Sequence, residues 1–84
     1  MIIDTTAKFK KQYDRLPLNI RLKTKRILNY LKEDLRHPSV HAKKKQGKGD
    51  IWEGRVDRFY RFTFTITGEI IILRTVGPHD VALV

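Results

Sequence analysis

Hydrophobic positions change rhythm near the middle of the chain: they recur at helical spacing in the first half and alternate in the second. Residues 1–4 are short and apolar enough for an initial strand. Thr5 or Thr6 can then cap a helix, because a threonine oxygen accepts from a backbone N–H that the first turn leaves free. Phe9, Tyr13 and Leu16 recur at i, i+4 and i+7 and so share one helical face. Pro17 ends that helix, and Asn19 is a candidate cap for a second, longer one. In the second helix Ile20, Thr24, Ile27, Leu28, Leu31 and Leu35 form a single stripe, while Arg21, Lys23, Lys25 and Arg26 lie largely off it. The short break at Pro17 predicts an antiparallel helix pair.

Residues 37–50 carry Pro38, Gly47 and Gly49 and read as a loop. Three β-patterned segments follow, roughly 51–56, 59–66 and 69–76, with Thr67-Gly68 as a two-residue hairpin signal between the last two. Helices followed by a meander imply an α+β fold. The expectation is one domain over residues 1–84, with two N-terminal antiparallel helices packed on one face of a small antiparallel sheet.

Counting outward from a Thr67-Gly68 turn sets Ile66 against Glu69, Phe64 against Ile71 and Phe62 against Leu73, and these define the buried side. The other face then pairs Thr63 with Ile72 and Arg61 with Arg74. On the preceding segment Trp52, Gly54 and Val56 share one face, with Glu53 and Arg55 on the other. A three-residue connection through Asp57, Arg58 and Phe59 places Arg55 opposite Arg61 and Trp52 opposite Phe64; a two-residue connection would bury Arg55. The expected result is a row of Arg55, Arg61 and Arg74 across three strands.

Composition sharpens this picture. The chain has 84 residues, 40% apolar and 10% aromatic, which suffices for one layer of helix on sheet. Lys plus Arg number 18 against 9 Asp plus Glu, a formal net charge of +9. Nucleic acid is the commonest partner for so dense a positive field, ahead of acidic membrane or acidic protein. Cysteine is absent, which excludes disulfides and thiolate metal sites. No apolar run approaches the roughly 20 residues that span a bilayer, and no signal peptide heads the sequence, so a cytoplasmic location is expected.

Like charges placed directly opposite cost stability. Three guanidiniums in a row therefore suggest an anion over them, and the planar Arg fork matches two phosphate oxygens at once. The plainer alternative is that Glu53, Asp57 and Glu69 neutralise the face and the arginines keep it soluble. Lys43, Lys44, Lys45 and Lys48, around two glycines, could grip a phosphate backbone or simply form a solvated loop. His79 follows the last strand in Gly77-Pro78-His79-Asp80, where a group suited to proton transfer near neutral pH would meet the arginine row. His37 and His41 carry weaker cases. The three histidines lack metal-ligand spacing, so no metal or other cofactor is expected; a Walker loop, a GxSxG elbow and a cysteine nucleophile are also missing.

Four stretches in this order and spacing carry a resemblance: 42–47 (AKKKQG), 51–56 (IWEGRV), 60–64 (YRFTF) and 72–80 (ILRTVGPHD). Together with the leading strand and helix pair, they resemble the RelE/ParE toxin superfamily over essentially the whole chain. The resemblance implies a microbial RNase type of fold, cleavage of mRNA, usually in the ribosomal A site, and neutralisation by a co-expressed antitoxin. By position it implies that Arg55 and Arg61 contact the scissile phosphate, that Lys43, Lys44, Lys45 and Lys48 bind substrate, and that Arg74 is a weaker match. His79 matches the terminal histidine that serves as acid or base in the YafQ-like branch. Many relatives carry a terminal aromatic where this chain has Ala82 and Leu83, and the C-terminal helix that some of them have is not expected here. The reaction implied is attack of the RNA 2′-OH on the adjacent phosphate, giving a 2′,3′-cyclic phosphate without metal. The alternative within the superfamily is a ParE-like inhibitor of DNA gyrase that cuts nothing; a plain nucleic-acid-binding regulator would also keep the charge.

Overall fold

Thr6 turns the first strand into the first helix. Its backbone is extended and its Oγ1 accepts from Phe9 N at 3.1 Å, filling one of the N–H groups that a helix start leaves unpaired. In the computed structural model, which describes residues 1–47 and 49–79, this cap joins β1 (Ile2–Thr5) to α1 (Ala7–Asp14). The second helix, α2 (Leu18–Glu33), is capped by Pro17 rather than Asn19. Pro17 O accepts from Ile20 N and Arg21 N, and proline has no N–H of its own to leave unpaired. Four strands complete the fold: β2 (Lys43–Lys44), β3 (Trp52–Arg55), β4 (Tyr60–Thr67) and β5 (Ile70–Pro78). No helix among the described residues is long and apolar enough to cross a membrane.

The strands form one sheet in the order β1-β5-β4-β3-β2. The expected α+β arrangement is present, with two differences. The sheet is mixed, because β1 runs parallel to β5, with Ile2 opposite Ile70 and Thr5 opposite Leu73. Within the expected loop, Lys43 and Lys44 add a short edge strand antiparallel to β3. The apolar side is built as the alternation implies. Phe62, Phe64, Ile71, Leu73 and Val76 from the sheet meet Phe9, Leu16, Ile20, Ile27 and Leu31 from the helix side in one buried cluster.

The β4–β5 register departs from the counted one twice. The turn is Gly68-Glu69, with Thr67 opposite Ile70, because the first turn position needs a positive φ that glycine takes at 60° and β-branched threonine resists. Phe64 therefore meets Leu73 instead of Ile71. A second slip follows between Phe64–Leu73 and Thr63–Thr75, with Arg74 as the extra residue of a β-bulge. α1 bonds to the backbone around this irregularity: Arg74 O accepts from Thr6 Oγ1 at 3.1 Å, and Gln12 Oε1 accepts from Val76 N at 2.9 Å. Arg61 consequently faces Gly77, not Arg74.

Gly54 is the one position where β3 must lack a side chain, since a Cβ there would overlap the ring of its cross-strand partner Phe62. Gly54→Ala should destabilise the protein by about 1–3 kcal/mol, the usual cost of overpacking a closed core. Urea unfolding measures it, and a midpoint equal to that of the parent would show that Phe62 can move aside.

Candidate functional site

The helices cover one face of the sheet, and the charged residues gather on the other. In β3 and β4, Arg55 stands directly opposite Arg61 and Glu53 opposite Thr63; on the far side of β3, Lys43 stands opposite Glu53. The three-residue connection read from the sequence produces this arrangement. His79 comes to the same place from the end of β5. An open cleft of about 380 Å³ is lined by Arg55, Arg61, His79, Lys43, Glu53 and His41, among others.

The two arginines differ in how they are held. Arg61 is largely enclosed: its Nη1 donates to Asp57 O at 2.5 Å and to Arg58 O and Tyr60 O at 3.2 Å. Its Nε lies 3.8 Å from Glu53 Oε1, and Lys45 Nζ lies 3.7 Å from Glu53 Oε2. Glu53 is buried at 7% exposure, so one carboxylate balances two enclosed cations. Arg55 is exposed and, among the described residues, has no ion-pair partner. One guanidinium is thus fixed to the scaffold while its cross-strand neighbour is free to reach an anion. Below them Thr63 Oγ1 and Thr75 Oγ1 lie 2.5 Å apart, closing the polar strip across β4 and β5.

The lysines separate by the alternation of the edge strand. Lys43 lines the cleft. Lys44 stands opposite Trp52 and reaches the exposed Asp50 at 3.6 Å, a surface pair worth little. Lys45 is engaged with Glu53. Lys48 lies outside the described residues, as do Ala82 and Leu83. Arg74 is exposed at the bulge and is not part of the arginine pair.

Two further residues line the cleft that the sequence did not single out as site residues, Glu53 and His41. In the plainer alternative Glu53 neutralises this face, and in the structure it does pair with Lys45 and Arg61, but as a buried carboxylate inside the cleft. His41 is brought in by the loop before β2, at a φ of 53° that is uncommon outside glycine. No spacing ties it to His79, so only the folded chain shows that they share a cleft. His37 is elsewhere, with its ring stacked on Tyr30 at 4.1 Å and its Nδ1 accepting from Ser39 N at 3.1 Å. Among the described residues no group of three or more His, Asp or Glu side chains is placed to hold a metal ion.

No protein-family model matches the sequence, and no curated protein matches it. Solved structures do match in fold. The YoeB/ParE toxin of Agrobacterium tumefaciens superposes with a TM-score of 0.81 at 15% identity, covering 94% of this chain and 99% of that one. A chain of the RelB–RelE antitoxin–toxin complex of Methanococcus jannaschii gives 0.77 at 22% identity, with 93% and 92% covered. A chain of the E. coli DinJ–YafQ toxin–antitoxin complex gives 0.75 at 17% identity, with 94% and 92% covered. Helix pair, mixed sheet and strand order together make this a RelE-like toxin fold.

Proposed function

We propose that the protein is the toxin of a type II toxin–antitoxin pair and acts as an endoribonuclease on mRNA, with the ribosome as the setting of cleavage. The observation that carries this reading is the convergence of Arg55, Arg61, Lys43 and His79 on one cleft of a RelE-like fold. A gyrase inhibitor would have no use for a proton-transfer group beside paired guanidiniums.

The chemistry follows from what each group can do. Arg55 and Arg61 stabilise the charge that develops on the phosphorane oxygens, in a place already organised for it. The RNA 2′-OH attacks the adjacent phosphorus, so a new 2′-O–P bond forms and the P–O5′ bond breaks. The 2′-OH proton passes to an acceptor, and we assign that role to Glu53, whose contacts to Lys45 and Arg61 exceed hydrogen-bond length. Protonated His79 gives a proton to the departing O5′. The products are a 2′,3′-cyclic phosphate and a 5′-OH, and solvent restores both side chains. Lys43 and Arg74, with Lys44, Lys45 and Lys48, supply attraction to the RNA backbone. The antitoxin is an acidic or amphipathic segment that covers this basic face.

Induction in a bacterial cell of the parent and of a variant combining Arg61→Ala with His79→Ala, with mapping of mRNA 5′ ends, tests the reading. New ends within translated codons, absent in the variant, are the expected result. Growth arrest with intact messages and altered DNA topology would replace it with gyrase inhibition.

A further inference from the structure

Among the described residues one aromatic side chain lies in solvent. Phe59 is 66% exposed, while the other described aromatics are buried or half-buried. A phenyl ring left in water gives up the stabilisation that burial brings, so the fold gains nothing from it there.

Its position is defined by the ladder. Tyr60 stands opposite Pro78 in the last register pair of β4 and β5, and His79 N donates to Phe59 O at 2.7 Å. This bond ties the backbone of Phe59 to that of His79 just beyond the ends of the two strands. Phe59 is the last residue of the β3–β4 connection, two positions before Arg61 in the chain.

The segment that presents the ring is fastened by the cleft itself. Arg61 Nη1 donates to Asp57 O and Arg58 O, and His79 holds Phe59 O. Asp57 Oδ1 accepts from both Phe59 N and Tyr60 N at 2.9 Å, and Lys23 Nζ lies 3.9 Å from Asp57. The Arg58 guanidinium lies over one face of the ring at 6.0 Å, leaving the other for a second planar group.

We propose that Phe59 is a nucleobase-stacking platform: it holds the unpaired base of single-stranded RNA next to the phosphate that Arg55 and Arg61 engage. The assignment rests on the ribonuclease reading and names the group that fixes the base beside the reacting bond. Stacking on a phenyl ring tolerates any base, since each offers a π-face. Phe59 thus supplies from the β3–β4 connection what the residue types of Ala82 and Leu83 cannot.

The test uses the full chain and fluorescence anisotropy with a short, fully 2′-O-methylated single-stranded RNA, which binds without being cut. Phe59→Ala should weaken binding about 5- to 150-fold, the equivalent of the ~1–3 kcal/mol lost per stacked base. Phe59→Leu keeps apolar bulk and should weaken it nearly as much, while Phe59→Trp should bind at least as tightly as the parent. Thermal melting should be the same for all three. A series of oligonucleotides with one abasic nucleotide each should contain one position at which the parent and Phe59→Ala become equal. Parent-like affinity in Phe59→Ala and Phe59→Leu, with binding still sensitive to Arg55→Ala, overturns the platform alone and marks the ring for a protein contact instead. A parent that does not bind RNA in an Arg55-dependent manner overturns the platform, and intact messages on induction in the cell overturn the ribonuclease reading as well.

Discussion

Arg55→Ala should lower RNA cleavage by about 10²–10³-fold, the loss seen when one donor to a developing oxyanion is removed. Its melting temperature should stay at the parent value. The two halves of this result have separate causes. Arg55 is exposed, makes no ion pair among the described residues and stands opposite another arginine, so the fold loses nothing with it. Removing one of two directly opposed like charges should even relieve a small repulsion. Its guanidinium is nevertheless the free one in the cleft. In a reaction without a protein nucleophile, charge stabilisation by a preorganised site lowers the barrier more than any other single effect. Cleavage of a ribosome-bound message, measured as kcat/KM alongside a melting curve, gives both quantities. Unchanged cleavage would remove Arg55 from the site, and a large fall in melting temperature would make its role structural.

Glu53→Gln should behave in the opposite way, losing stability and activity together. The side chain is buried, and Lys45 and Arg61 sit within 3.7 and 3.8 Å of it with little exposure of their own. Neutralising the carboxylate leaves two enclosed cations facing each other, and breaking a buried ion pair in this way costs about 3–5 kcal/mol. Cleavage should fall even at temperatures where the variant remains folded, because the acceptor for the 2′-OH proton is gone. The measurements are urea unfolding and cleavage well below the melting midpoint. Full activity in a destabilised Glu53→Gln would restrict Glu53 to holding Arg61 in place. Parent-like stability would mean that solvent reaches the pair more freely than its burial implies.

The helix pair and the core could be read from the sequence because their signals are local and repetitive. Ile20, Thr24, Ile27 and Leu31 recur along one face of α2 and are buried there. The Arg55–Arg61 pairing was also legible, since only a three-residue connection keeps Trp52 and Gly54 on the side of Phe64 and Phe62. The β4–β5 register was harder. Thr67-Gly68 and Gly68-Glu69 differ only in which turn position the glycine takes, and the bulge interrupts the alternation on which counting depends. The spacing of Leu73 and Val76, both buried three residues apart in one strand, was its trace in the sequence. The direction of β1 and the two-residue β2 had no comparable signal. Glu53 and His41 were hidden for another reason: the cleft joins groups from distant segments, and nothing along the chain records that meeting.

The bulge at Arg74 has a further consequence. It divides β5 into two blocks that run out of phase by one residue, one continuous with the hairpin turn and the other with the cleft. Within each block inward and outward positions alternate, but the order reverses across Arg74, which is why Leu73 and Val76 point to the same interior. The residue therefore acts as a phase reset in the pleat. Because of it, Thr75 and Gly77 stand opposite Thr63 and Arg61 on the polar face of the sheet, although strict alternation from the turn would have sent them into the core.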